Sequence, residues 1–191
     1  MKEEQNMEEK GCTANVILFV PAEGPNPAQI YCANAGDSRS VMAIQSKAQG
    51  LSFDHKPTNP TELSRIKKAG GFVNQEGRVN GNLNLSRAIG DLTFKKNKRL
   101  PAKDQQITAF PDVRVFPVTS KLDFVVMGCD GIWETHSNQQ VVDNVYMQMK
   151  RKVRINKICD NWLDTCLSPN VNRTMGKGCD NMSMILLDFR K

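Results

Sequence analysis

Asp130 follows the unbroken apolar run Phe124-Val-Val-Met127 and Gly128-Cys129, and it stands directly before Gly131. A run of this kind reads as a strand buried on both faces. A carboxylate just past the end of such a strand is held rigidly and faces a solvent-accessible edge. That suits a hard cation such as Mg²⁺ or Mn²⁺, which takes oxygen ligands from a stiff scaffold. An isolated Asp-Gly is more often a plain chain reversal, so further carboxylates must decide. Asp180 precedes the apolar segment 182–189 and stands at the start of one strand as Asp130 stands at the end of another. If the two strands are antiparallel neighbours, both carboxylates reach the same sheet edge. There they repel at neutral pH unless a cation or a proton lies between them. Asp37, in Gly36-Asp37-Ser38, marks a hairpin tip, where the alternative is local bonding from side chain to backbone.

The elements that must position these residues can be read in order. Residues 1–10 are expected to be a linker or a frayed helix end. Strands are expected over 14–20, 29–35 and 40–44, the last two forming a hairpin around Asp37. Asn59 as N-cap, Pro60 at the first position and Glu62 three residues after the cap announce a helix, which Gly70-Gly71 ends. Its apolar face is Leu63, Ile66 and Ala69, and Arg65, Lys67 and Lys68 take the other. An irregular hairpin over 72–85 and a basic surface loop over 95–112 precede strands at 113–118 and 124–127. Two helices follow, one capped by Ser137 or Asn138 and one by Asn156, with Val141, Val142, Val145, Met149, Ile158 and Trp162 facing inward. Residues 169–178 read as a loop before the last strand.

Composition narrows the class. The chain has 191 residues, 39% hydrophobic and 24% charged, which fits one soluble domain with a real core. No apolar run approaches the roughly 20 residues that span a bilayer, and the polar start offers no signal peptide. Six cysteines without a C-x-x-C pair read as free, mostly buried thiols, which places the chain in the cytoplasm or nucleus. The net charge of +6 is concentrated in 95–99 and 150–154. No aromatic residues interleave with those runs, so neither a nucleic-acid nor a membrane partner is expected. A basic surface would still attract phosphorylated partners.

Gly11-Cys-Thr-Ala14, Ala35-Gly-Asp-Ser-Arg39, Asp54-His-Lys-Pro57, Arg65-Ile66 with Ala69-Gly-Gly71, Arg78-Val-Asn-Gly81, Leu85-Ser-Arg-Ala-Ile-Gly-Asp91, Pro111-Asp112, Cys129-Asp-Gly-Ile-Trp133 and Cys179-Asp-Asn-Met-Ser183 occur in an order that resembles protein phosphatase 2C, the metal-dependent serine/threonine phosphatases. The resemblance covers residues 11–191. It implies an α+β fold, a four-layer α-β-β-α sandwich of two antiparallel sheets flanked by helices. It also implies a binuclear Mg²⁺ or Mn²⁺ centre whose activated water hydrolyses phosphoserine and phosphothreonine in protein substrates. By motif, Asp130 and Asp180 resemble ligands of that centre, and Asp37 resembles a ligand of a third, weaker metal. Glu134 stands where the family often has Asp near the third metal, and its extra methylene would weaken that site. His55 resembles a structural position beside the family's flap, and His136 is expected at the surface.

The family's Asp-Gly-His-Gly-Gly motif, expected ahead of residue 11, does not occur here, nor does the phosphate-binding arginine that precedes it. Those segments carry the bridging aspartate and the proposed general acid, so no catalytic acid or phosphate clamp is assigned within this chain. The expectation is a C-terminal part of a catalytic domain that lacks the N-terminal strands and helices and is inactive alone. Its open sheet edges would invite dimerisation. A non-catalytic pseudophosphatase or interaction module, and completion by another chain, are the alternatives.

Overall fold

The computed structural model describes residues 8–170, 174 and 176–190. Its strands are β1 (Gly11–Cys12), β2 (Ala14–Val20), β3 (Gln29–Ala35), β4 (Arg39–Ile44), β5 (Lys47–Gly50), β6 (Ile89–Gly90), β7 (Asp112–Pro117), β8 (Leu122–Gly128) and β9 (Met184–Asp188). The α-helices are α1 (Pro60–Lys68), α2 (Asp130–Trp133), α3 (Asn138–Lys150) and α4 (Ile155–Cys166). Two compact units share these elements. The first takes residues up to Val16 with Ala33–Ser38 and Phe53–Val113, and the second takes Ile17–Cys32, Arg39–Ser52 and the chain from Arg114 onward.

In the second unit a four-stranded antiparallel sheet runs in the order β5-β4-β8-β9. Alternation sends successive side chains of β4 and β8 to opposite faces. Val41, Ala43, Phe124 and Val126 meet Val141, Val142 and Val145 of α3 and Ile158 and Trp162 of α4. Met42, Leu122 and Val125 meet Ile30, Cys32 and Phe116 on the other side, which come from the three-stranded sheet β2-β3-β7. Both faces of β8 are therefore buried, which is why its apolar run is unbroken rather than alternating. Two helices on a sheet that packs on a second sheet make an α+β sandwich with antiparallel pairing. The other flank of β2 and β7 carries no helix among the described residues.

Local chemistry explains where the elements start and stop. Ser137 and Gln140 form a reciprocal capping box at α3, so the cap is Ser137 and not Asn138. The helix α4 starts at Ile155, and its N-cap is Arg154, two residues before Asn156, with no side-chain bond. Strand β5 carries no β-branched residue to announce it. It forms because Gln45 and Ser46 both take positive φ, 50° and 69°, as a tight hairpin turn with the sheet's twist demands. Strand β9 is shorter than the apolar segment 182–189, because residues 181–183 bond to the loop after β8.

The first unit packs Ile66, Val79, Ala88 and Ile107 under the irregular hairpin. Arg65, expected at the solvent face of α1, is instead half-buried and donates to Glu62, Ser86 O and Gln105 O. Cysteine placement also departs from expectation. All six thiols are free, but only Cys32 and Cys166 are buried, and Cys12 and Cys179 are exposed.

Candidate metal centre

The antiparallel pairing of β8 with β9 sets Gly128 opposite Met184, so the segment leaving β8 and the segment entering β9 share one sheet edge. Cys129 continues the extended backbone and N-caps α2, whose first residue is Asp130. The two segments are bonded together. Cys129 N donates to Ser183 O at 3.4 Å, Ser183 N donates to Cys129 Sγ at 3.2 Å, and Cys129 Sγ donates to Asn181 O at 3.4 Å. Gly131 has to be glycine here. A β-carbon on it would lie 2.9 Å from Asn181 O, closer than the backbone allows, and 3.5 Å from the Asp180 β-carbon. Asp130 and Asp180 are thus on neighbouring loops, with Asp180 beside the glycine that follows Asp130.

Each carboxylate uses one oxygen on its own turn. Asp130 Oδ1 accepts from Gly131 N at 3.0 Å, and Asp180 Oδ1 accepts from Asn181 N at 2.8 Å. Trp133 Nε1 donates to Gly128 O at 2.9 Å and ties α2 back onto the strand end. Glu134 follows α2 directly, exposed, with its N–H on Asp130 O at 2.8 Å. Among the described residues no group of three or more His, Cys, Asp or Glu side chains is placed to hold a metal ion. What the second unit offers is a pair of carboxylates on rigid backbone. That donor set fits a hard cation as part of a shell, since Mg²⁺ is commonly held by one or two carboxylates with water completing its octahedron.

Asp37 lies in the first unit, only 2% exposed. Its bend is over-determined. Gly36 has φ 126°, and a β-carbon there would meet Thr13 Cγ2 at 2.3 Å, so the Thr of Gly11-Cys-Thr-Ala14 and the Gly of the Asp37 turn require each other. Asn34 Nδ2 donates to Gly36 O and Phe53 O, and Thr13 and Ser38 share a hydroxyl bond of 2.7 Å. Gly36 N donates to His55 Nδ1 at 3.1 Å, so the ring carries its proton on Nε2, which meets Asp112 Oδ2 at 3.1 Å. His55 is therefore a buried brace, as its motif implied. The Asp37 carboxylate itself receives Lys56 Nζ at 2.5 Å. The spacing of the carboxylates gave no sign of Lys56, although it sits in the Asp54-His-Lys-Pro57 motif.

Sequence reasoning also missed the buried cluster beside this brace. Glu62, 2% exposed, accepts from Arg87 Nε and Nη2, from Arg65 Nη1 and from Ser86 Oγ. Burial by itself would raise the Glu62 carboxyl. The bonds from Arg87, Ser86 and Arg65 outweigh that and lower it to about 2 from 4.5. Arg87 Nη1 reaches on to Asp112 Oδ1 at 2.7 Å, which links Ser86-Arg-Ala88 to Pro111-Asp112. His136, expected at the surface, is half-buried, with its ring 4.6 Å from that of Trp162.

Comparison with known proteins adds the family context. A family model described as protein phosphatase 2C matches residues 1–175. The protein phosphatase 2C homolog 2 of Hypocrea jecorina is 50% identical over 182 residues, covering 95% of this chain and 40% of its own length. The probable protein phosphatase 2C 21 of Arabidopsis thaliana is 45% identical over 181 residues, 95% of this chain and 48% of its length. The chain thus spans about half or less of the curated relatives it matches. A crystal structure of a phosphatase from a pathogenic strain of Toxoplasma gondii superposes with a TM-score of 0.75 at 30% identity, over 96% of this chain and 64% of the other. A second, the serine-threonine phosphatase 2C of that organism, gives 0.71 at 22% identity, with 98% and 61% covered, and speaks for the fold alone.

Proposed function

The chain belongs to the protein phosphatase 2C family, and on that premise we propose that it supplies part of the catalytic domain of a metal-dependent protein serine/threonine phosphatase. The observation that carries the reading is the bonded approach of the Asp130 and Asp180 loops at one sheet edge. In this proposal Asp130 and Asp180 hold Mg²⁺ or Mn²⁺. Such ions lower the pKa of water and neutralise phosphoryl oxygens. Cys129 and Gly131 keep the two carboxylates adjacent, and the Asn34, Thr13 and His55 bonds fix Asp37 for a weaker third ion. The substrates are phosphorylated proteins.

Two carboxylates with no third beside them among the described residues make a partial shell, so the 191-residue chain is proposed to be inactive by itself. With Mn²⁺ and a phosphothreonine peptide, phosphate release should stay at the background rate. Turnover that disappears in Asp130→Asn would overturn the inactivity while supporting the phosphatase. Turnover that persists in both Asp130→Asn and Asp180→Asn would remove the assignment of the site.

A second reading, a non-catalytic module of the same fold, draws on one observation: the Lys56 ammonium on Asp37 places a positive charge where a third ion would bind. Under that reading Lys56→Ala gains no affinity for Mn²⁺. Under the phosphatase reading it does.

A further inference from the structure

The segment 95–111 of the first unit lines an open recess of about 770 Å³, within the size range of ligand sites. Its rim is basic. Lys95, Lys96, Lys98 and Lys103 line it, and no carboxylate does. Its floor is apolar: Leu100, Ala102, Ala109, Phe110 and Pro111. Phe110 is 59% exposed, a large apolar surface set among cations and left open to solvent.

The recess is built rather than accidental. Gln105, buried, clasps the turn 97–100. Its Nε2 donates to Asn97 O and Leu100 O, and its Oε1 accepts from Asn97 N. Thr108 Oγ1 donates to Ala102 O at 2.9 Å and accepts from Phe110 N at 3.2 Å. Lys95 Nζ is used inward on Ala88 O at 2.6 Å. Three ammonium groups therefore remain on the rim. Lys98 and Lys103 have no ion pair among the described residues, and Lys96 is paired with Glu8 at 2.6 Å. The partner of Lys96, Glu8, belongs to Glu8-Glu9, an acidic stretch of the chain itself.

We propose that this recess is a docking site for an acidic peptide segment of a partner protein, with one aromatic or large aliphatic side chain anchored against Phe110 and Pro111 and carboxylates on Lys96, Lys98 and Lys103. Charge complementarity selects acidity, and the apolar floor selects a side-chain anchor. A single-stranded nucleic acid would need several aromatic platforms between the cations. An anionic membrane surface would favour apolar groups that protrude rather than a recess. The site stands independently of the phosphatase reading, because capture of the peptide needs neither the metal nor turnover.

The test is fluorescence anisotropy without divalent metal, using the full chain and fluorescein-labelled Asp-Glu-Glu-Phe-Glu-Asp. The same peptide with Ser in place of Phe and a labelled oligouridylate are the comparison probes. Saturable binding is expected, weakened by added salt. Loss of the aromatic anchor should cost about tenfold in affinity, the scale of burying one large apolar side chain. Lys98→Glu combined with Lys103→Glu should abolish binding, and Phe110→Ser should match the loss seen with the Ser peptide. These side chains are exposed, and an unchanged thermal melt confirms that the variants fold. Absence of saturable binding overturns the proposal. So does equal affinity for the Ser peptide, or tighter binding of the oligouridylate.

Discussion

Glu62 shows how a single buried charge can set the acid sensitivity of a unit. Its pKa lies at about 2 in the folded chain against 4.5 ordinarily, so the unfolded state binds protons more readily. The stabilisation is present in full above pH 4.5 and is lost as pH falls through about 2. The shift corresponds to about 3 kcal/mol. Glu62→Gln leaves Arg65 and Arg87 buried without their shared counter-charge, and should cost about 3 kcal/mol or more at neutral pH. Urea unfolding of both forms across the acid range measures this. The wild-type curve should fall below pH 4.5 and the variant curve should be flatter, whereas parallel curves would mean that Glu62 does not carry the sensitivity. This residue was legible only as the third member of a helix-start pattern. Asn59 makes no side-chain cap bond on α1, and the Glu62 carboxylate goes to Arg65 one turn along and to Arg87, 25 residues away. The contact with Arg87 leaves no local periodic signature.

At the level of elements, the readable features were those with a local cause. The apolar run of β8, the Pro60 start of α1 and the capping residue of α3 each follow from a few adjacent residues. The antiparallel pairing of β8 with β9, the condition for Asp130 and Asp180 to share one sheet edge, is present. Strand β5 and the folded loop 95–111 escaped because positive-φ turn residues and long-range side-chain clasps such as Gln105 hold them. The outer flank of β2 and β7 belongs to this scale too. Leu18 is 57% exposed and Val115 47%, with Val16, Val20 and Val113 also exposed along the same strands. An apolar sheet flank open to water favours association, and we propose that the isolated chain self-associates through it. Light scattering should give a mass that rises above the monomer with concentration. Leu18→Glu with Val115→Lys should return it to the monomer, and a monomeric wild-type chain at every concentration would contradict the proposal.

For the whole molecule, the family and the fold rest on motifs distributed from Gly11 to Ser183, and these the sequence displays openly. The proposed metal chemistry rests on less: two carboxylate-bearing loops joined by the Cys129 contacts and the close fit at Gly131. The most direct test is calorimetric titration of Mn²⁺ into the wild-type chain, Asp130→Asn and Asp180→Asn. The proposed centre predicts weak, saturable binding to the wild type that either substitution removes, because two carboxylates and water hold the ion. Binding that survives both substitutions would place the ion elsewhere, and a wild-type chain that takes up no Mn²⁺ would contradict the claim that Asp130 and Asp180 form a metal site on their own.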